Sequence, residues 1–179
     1  MDFVFRLIAQ YIAKRPTLVD RIRHKAWRNP YSSIASRDGT RTYMHRAWLF
    51  NPYEDRLGNP IKRNWFMRLL PSVRLHEIML PDDDPHLHDH PWNARTIILR
   101  GWYDEVRLED GQLVEHVRTA GTTARLNFGE FHRIAKKGSG PIITLFITGK
   151  YRGTWGFLVD GKKVPWREYL AQRDQRQAA

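Results

Sequence analysis

Three of the eight histidines fall at alternate positions in the stretch Asp82-Asp83-Asp84-Pro85-His86-Leu87-His88-Asp89-His90-Pro91-Trp92. In an extended strand, residues two apart project to the same face, roughly 6.5–7 Å between Cα atoms. Two imidazoles at that spacing can converge on one ion at ~2.0–2.2 Å, which adjacent residues cannot do. Downstream, Asn127-Phe-Gly129 can make a tight turn that places His132 just inside the next strand. The chain has no cysteine. Disulfides, thiolate ligands, Fe–S clusters and a cysteine nucleophile are therefore excluded, which fits a reducing compartment. Only histidine and carboxylate remain to be offered to a transition metal.

The elements that must position these residues can be read from periodicity. The chain has 179 residues, enough for one domain with one core, and 41% hydrophobic content argues against disorder. Residues 3–14 place Val4, Leu7, Ile8, Tyr11 and Ile12 on one helical stripe, read as packing on a sheet, with a membrane-surface or partner-docking helix as the sharper alternative. A second helix, capped by Thr17, runs to about Trp27, and Asn29-Pro30 ends it. Strand candidates follow at 41–50, 72–80, 95–100, 102–108, 112–119, 122–127, 131–135, 141–149, 154–159 and 162–166. Asp-Gly pairs at Asp38-Gly39, Asp110-Gly111 and Asp160-Gly161 supply hairpin turns. The expected layout is an N-terminal helical segment (1–30), a β-barrel domain (31–170) and a polar tail (171–179). Residues 51–71, with Asn59-Pro60 and Lys62-Arg63, read as a basic connection with a turn of helix.

In spacing, the histidine stretch and the Gly121–His132 stretch resemble the two motifs of the cupin superfamily. The first motif runs Gly-x5-His-x-His-x3–4-Glu-x6-Gly, and the second runs Gly-x5-Pro-x-Gly-x2-His-x3-Asn. Ten residues separate His90 from Gly101, which suits the shorter form of the first motif and selects His88 and His90 as its pair. Every spacing from Gly121 to His132 agrees with the second, with Asn127 in place of proline. His88-Asp-His-Pro-Trp92, Ile97–Glu105, Trp155-Gly-Phe157 and Val164–Leu170 are also similar to a group of bacterial and phage cupin-like proteins. The resemblance implies a mainly β fold, a cupin-type (RmlC-like) double-stranded β-helix or jelly-roll barrel. It departs from the pattern at Ala94, where a cupin usually has its glutamate ligand, at Lys136 in place of Asn, and at Asp82 in place of the leading glycine. The implied ligands are three histidines, His88, His90 and His132, similar to the cysteine dioxygenase branch. His86 is a candidate fourth ligand.

Three neutral imidazoles leave the charge of a divalent ion uncompensated. Fe(II) is the favoured ion, with Mn(II), Zn(II) and Ni(II) as alternatives. An octahedral Fe(II) would keep open positions for a bidentate anion and O₂, whereas four-coordinate Zn(II) would keep one activated water. Arg95, Glu105 and Arg125 are candidate polar groups for catalysis, and Trp92, Tyr103 and Trp155 candidate pocket walls. His24, His45, His76 and His116 read as structural or exposed. No Gly-x-Gly-x-x-Gly, phosphate-binding loop, Gly-x-Ser-x-Gly or His-Glu-x-x-His is present.

The formal charge is +11, and residues 1–70 hold 14 basic against 5 acidic side chains. A partner or substrate is thus expected to be anionic. The first functional reading is a metal-binding cupin, a candidate Fe(II)-dependent dioxygenase acting on a small anionic molecule. The alternative is a non-catalytic scaffold or binding module whose basic N-terminal region, interleaved with Trp27, Tyr31, Tyr43, Trp48 and Trp65, contacts nucleic acid or protein. A third is a cupin sensor or isomerase-like protein whose histidines act without metal. No segment reads as a signal peptide or membrane span, so the expectation is a cytoplasmic protein, with a homodimer as one assembly.

Overall fold

Eight strand segments alternate between two facing sheets, and their order defines the architecture. The computed structural model describes residues 2–51, 53 and 69–178. Two helices come first, α1 (Asp2–Ala13) and α2 (Pro16–Ala26), and then β1 (Pro30–Ala35), β2 (Thr42–Phe50) and β3 (Ser72–Ile78). Next are β4 (Trp92–Arg100), β5 (Trp102–Glu109), β6 (Gln112–Thr119), β7 (Thr123–Leu126), β8 (His132–Lys137) and β9 (Ile142–Tyr151). The hairpin of β10 (Gly156–Val159) and β11 (Lys162–Pro165) leads into α3 (Trp166–Ala178). One wall has the order β1-β2-β3-β9-β4-β7, all antiparallel. The facing wall is β6-β5-β8, extended by the single residue His88, which bridges His132 on one side and Phe157 on the other. The central β3-β9-β4-β7 set faces His88-β8-β5-β6. This is the jelly-roll strand order of the cupin fold.

All ten strand candidates form strands, and β1 is an addition that sequence reading did not single out. The basic connection falls almost wholly outside the described residues, as does Trp65. Residues 171–178, expected as a tail, continue α3. Thr17 does not cap α2: Arg15 occupies that position, makes no side-chain cap, and Pro16 opens the helix with its preset φ.

Period-two alternation divides every strand of the large wall between two environments. Leu75, Ile97, Leu99, Ile143 and Leu145 face outward and bury Ala9, Val19 and Ala26 of the helices. The inward set includes Ile78, Ile98 and Ile142, packed with Met44, Tyr103 and Ile134 at one end, and Ala94, Leu126 and Phe146 at the other. The expected stripe on α1 is corrected by this packing. Phe5, Ala9 and Ile12 face the barrel, whereas Val4, Leu7, Ile8 and Tyr11 are exposed. The aromatics expected to meet bases are engaged within the fold. Trp27 Nε1 donates to Glu77, Tyr31 stacks on Trp48, and Tyr43 donates its hydroxyl to Asp82.

Candidate metal centre

His88 is held in extended geometry from both sides. Its N–H donates to the His132 carbonyl and its carbonyl accepts from the His132 N–H, each at 2.9 Å. Asp89, fully buried, points the opposite way, as alternation requires. It accepts from the Gly156 N–H at 2.7 Å and pairs with Lys163. Glycine is needed there, because a Cβ on Gly156 would lie 2.2 Å from the Val164 carbonyl oxygen. His132 enters from the other motif behind a turn in which Gly129 takes φ +84° and Asn127 bonds Glu130 through both its backbone N–H and its side-chain amide.

The three imidazoles so placed form a triangle, with ring centroids 4.8, 5.2 and 5.3 Å apart. One nitrogen from each lies within 4.8 Å of the others. His90 Nε2 and His132 Nε2 are 3.0 Å apart. Two ligand atoms ~2.1 Å from one ion at right angles would be separated by about that distance. Burial, as the main cause, lowers the pKa of His88 to about 4 and that of His90 well below its ordinary value. Both are therefore neutral at pH 7, the form that ligates.

Glu105 braces His132. Its Oε1 accepts from His132 Nδ1–H at 2.8 Å, which leaves Nε2 of His132 to face the other rings. Arg107 and Arg118 donate to the same carboxylate at 3.0 and 2.7 Å. Burial alone would raise the pKa of Glu105. The bonds from His132 and Arg107 outweigh it and hold the carboxyl well below the usual range. Ala94, at the position of the usual cupin glutamate, packs with Leu126 and Phe146. Glu105 thus bonds one of the three histidines and does not stand at the usual glutamate position.

The triangle opens onto a cavity of about 450 Å³. Trp92, Tyr103, Glu105 and Trp155 line it, Trp92 lying nearly parallel to His90 and Trp155 6.2 Å from His88. His86 also lines it but is outside the triangle, with Nδ1 2.9 Å from the Tyr169 hydroxyl. Arg95 and Arg125 are turned away. They are register partners on β4 and β7, and alternation sends both to the helix side. There Arg95 pairs with Asp2 and lies over Phe5, while Arg125 is exposed.

Arg74, His76 and Arg107 are among the cavity residues that sequence reading does not single out. Arg74 and His76 line the cavity because they alternate with inward Ile78, and Arg107 because it alternates with Glu105. His76, which reads from sequence as structural or exposed, is buried. Its pKa is lowered to about 3, chiefly by burial. Its Nε2, together with Trp92 Nε1 and Arg107 Nε, is buried with no hydrogen-bond partner among the described residues. A buried donor without a partner is costly, so Trp92 Nε1–H and Arg107 Nε–H point to an acceptor in the cavity, while Nε2 of neutral His76 can take either role.

No family model matches this sequence, and no curated protein matches it. Among solved structures, a cupin-2 domain from Rhodospirillum rubrum matches at TM-score 0.49 and 12% identity, over 80% of each chain. HppE in its Fe(II) form, with the alternative substrate (S)-1-HPP, matches at TM-score 0.45 and 13% identity, over 66% of this chain and 54% of that one. Hydroxypropylphosphonic acid epoxidase from S. wedmorenis matches at TM-score 0.42 and 12% identity, over 65% and 55%. The chain spans about half the length of these last two structures. The fold is established by the strand order, and these matches add nothing about activity.

Proposed function

We propose that this cupin-fold chain is a metal-dependent enzyme that holds Fe(II) on His88, His90 and His132 and oxidises a small anionic molecule with O₂. The observation that carries the metal reading is the half-buried triangle of imidazole nitrogens, all within 4.8 Å of one another. When bound, the ion would supply open coordination positions and redox chemistry with O₂ as co-substrate. The chain's own contributions are specific. Glu105 fixes the tautomer of His132, and Arg107 and Arg118 keep Glu105 ionised. Trp92 Nε1–H and Arg107 Nε–H are positioned to donate to an anionic substrate group, with His76 Nε2 beside them. Ile34, Met44, Phe157 and Leu170 give the remainder of the cavity an apolar lining. Mn(II), Zn(II) and Ni(II) suit the same nitrogens, so metal identity is part of the test.

Protein purified without a polyhistidine tag and loaded anaerobically with Fe(II) is expected to retain about one ion per chain by elemental analysis. His90→Ala and His132→Ala should lose it, and retained stoichiometry in either variant overturns the site. O₂ uptake by the loaded protein with a panel of small carboxylic acids, phosphonic acids and thiols tests the reaction class. A loaded protein inert to the whole panel leaves a metal-binding scaffold and removes the oxidase reading.

A further inference from the structure

Helix α1 is apolar on two opposite faces, and only one of them meets the barrel. Phe5, Ala9 and Ile12 are packed, whereas Phe3, Val4, Leu7, Ile8 and Tyr11 are 41–70% exposed. These five positions fall on a continuous stripe of a 3.6-residue period, and a helix apolar all round ordinarily has both faces covered.

The charges around the stripe indicate what covers it. Both acidic residues of the helical hairpin are tied to the barrel, Asp2 to Arg95 and Asp20 to Arg100. Arg6, Lys14, Arg15, Arg21, Lys25 and Arg28 are exposed, and none has a carboxylate partner among the described residues. Arg21 and Lys25 share one face of α2 at helical spacing, and Arg28 follows in the turn after it. Both helices lie on the same side of the large sheet, so their outer faces look the same way. Arg15 lies 3.6 Å over the Tyr11 ring, joining the apolar stripe to its cationic border.

We propose that this face docks on an anionic lipid bilayer, α1 lying in the plane of the interface with Phe3, Leu7 and Ile8 among the acyl chains and the cations at the headgroups. An aliphatic stripe bordered by unpaired cations is complementary to that surface and to few others. Bare nucleic acid offers phosphate but nothing for Val4, Leu7 and Ile8. A second copy would bring the same six cations against these.

The test is sedimentation of the full chain with vesicles of phosphatidylglycerol mixed with phosphatidylcholine, and with phosphatidylcholine alone. Binding is expected only to the anionic vesicles and should weaken with salt. The double variant Leu7→Glu/Ile8→Glu, at exposed positions, should melt like the parent and bind at least about tenfold more weakly. Lys14→Gln and Lys25→Gln should each lower affinity about fivefold. The proposal is overturned if the parent ignores anionic vesicles or if the double variant binds them as well as the parent does. It is also overturned if ultracentrifugation without lipid shows a dimer that the double variant loses.

Discussion

The two faces of the large sheet are built from the same strands, yet their polar groups meet opposite fates. On the outer face the charges under the helices have partners: Glu77 accepts from Arg23 and Trp27, Arg95 pairs with Asp2, and Arg100 with Asp20. On the inner face, His76 Nε2 and Trp92 Nε1 are buried without partners among the described residues. Satisfied polar groups hold a fold together. Unsatisfied ones in a cavity cost stability, and they are tolerated where a ligand supplies the missing acceptor. The two faces of β3 and β4 therefore separate what stabilises the molecule from what it works with.

Acidification should expose this contrast most strongly. Unfolded histidine takes up a proton near pH 6.5, but buried His76 and His88 resist until about pH 3 and 4. Between those limits the unfolded state binds more protons, so stability present above pH 6.5 is lost as pH falls. Chelated protein followed by thermal melts should lose on the order of a few kcal/mol by pH 4.5, and His76→Phe should flatten the slope. A melt independent of pH across this window would mean that the inner face is hydrated.

Two carboxylates, one on each face, give the next contrast. Glu77→Ala removes the anchor of α2 and strands Trp27 Nε1 and a partly exposed guanidinium. It should cost about 2–3 kcal/mol in denaturant melts and leave bound metal unchanged. Glu105→Gln should do the reverse. It keeps the shape but weakens the hold on His132, so metal affinity should fall about 10- to 100-fold in competition titrations. If Glu77→Ala instead released metal, the two faces would be one coupled unit.

How much of this was legible beforehand depended on whether the information was local. The clustering of His88, His90 and His132 could be read because motif spacing fixes which strand positions meet across a barrel, and every strand candidate forms, with β1 the one addition among the described residues. Direction was harder to read. Arg95 and Arg125 were placed near the site by sequence proximity, but facing is decided by alternation counted from a core residue, and Ile97 faces the helices. The same count from Ile78 would have brought in His76 and Arg74. The stripe on α1 misled for a different reason. With apolar residues on both faces, periodicity cannot say which side meets the barrel, and the small residue Ala9 marks the close approach.

The smallest expected effect is the sharpest test of facing. Arg107 and Arg125 are neighbours, and Arg107 Nη1 donates to the Arg125 carbonyl at 2.7 Å. That bond uses the backbone of Arg125, so the exposed side chain contributes nothing to it. Arg125→Ala should therefore shift stability by no more than about 0.5 kcal/mol and leave metal content unchanged. Arg107→Ala removes a direct partner of Glu105 from inside the cavity and should weaken metal binding measurably. Two arginines joined by one hydrogen bond should thus differ because one reaches the site and the other supports it only through its peptide group. Loss of metal from Arg125→Ala would place its guanidinium in the cavity and undo the division between the faces.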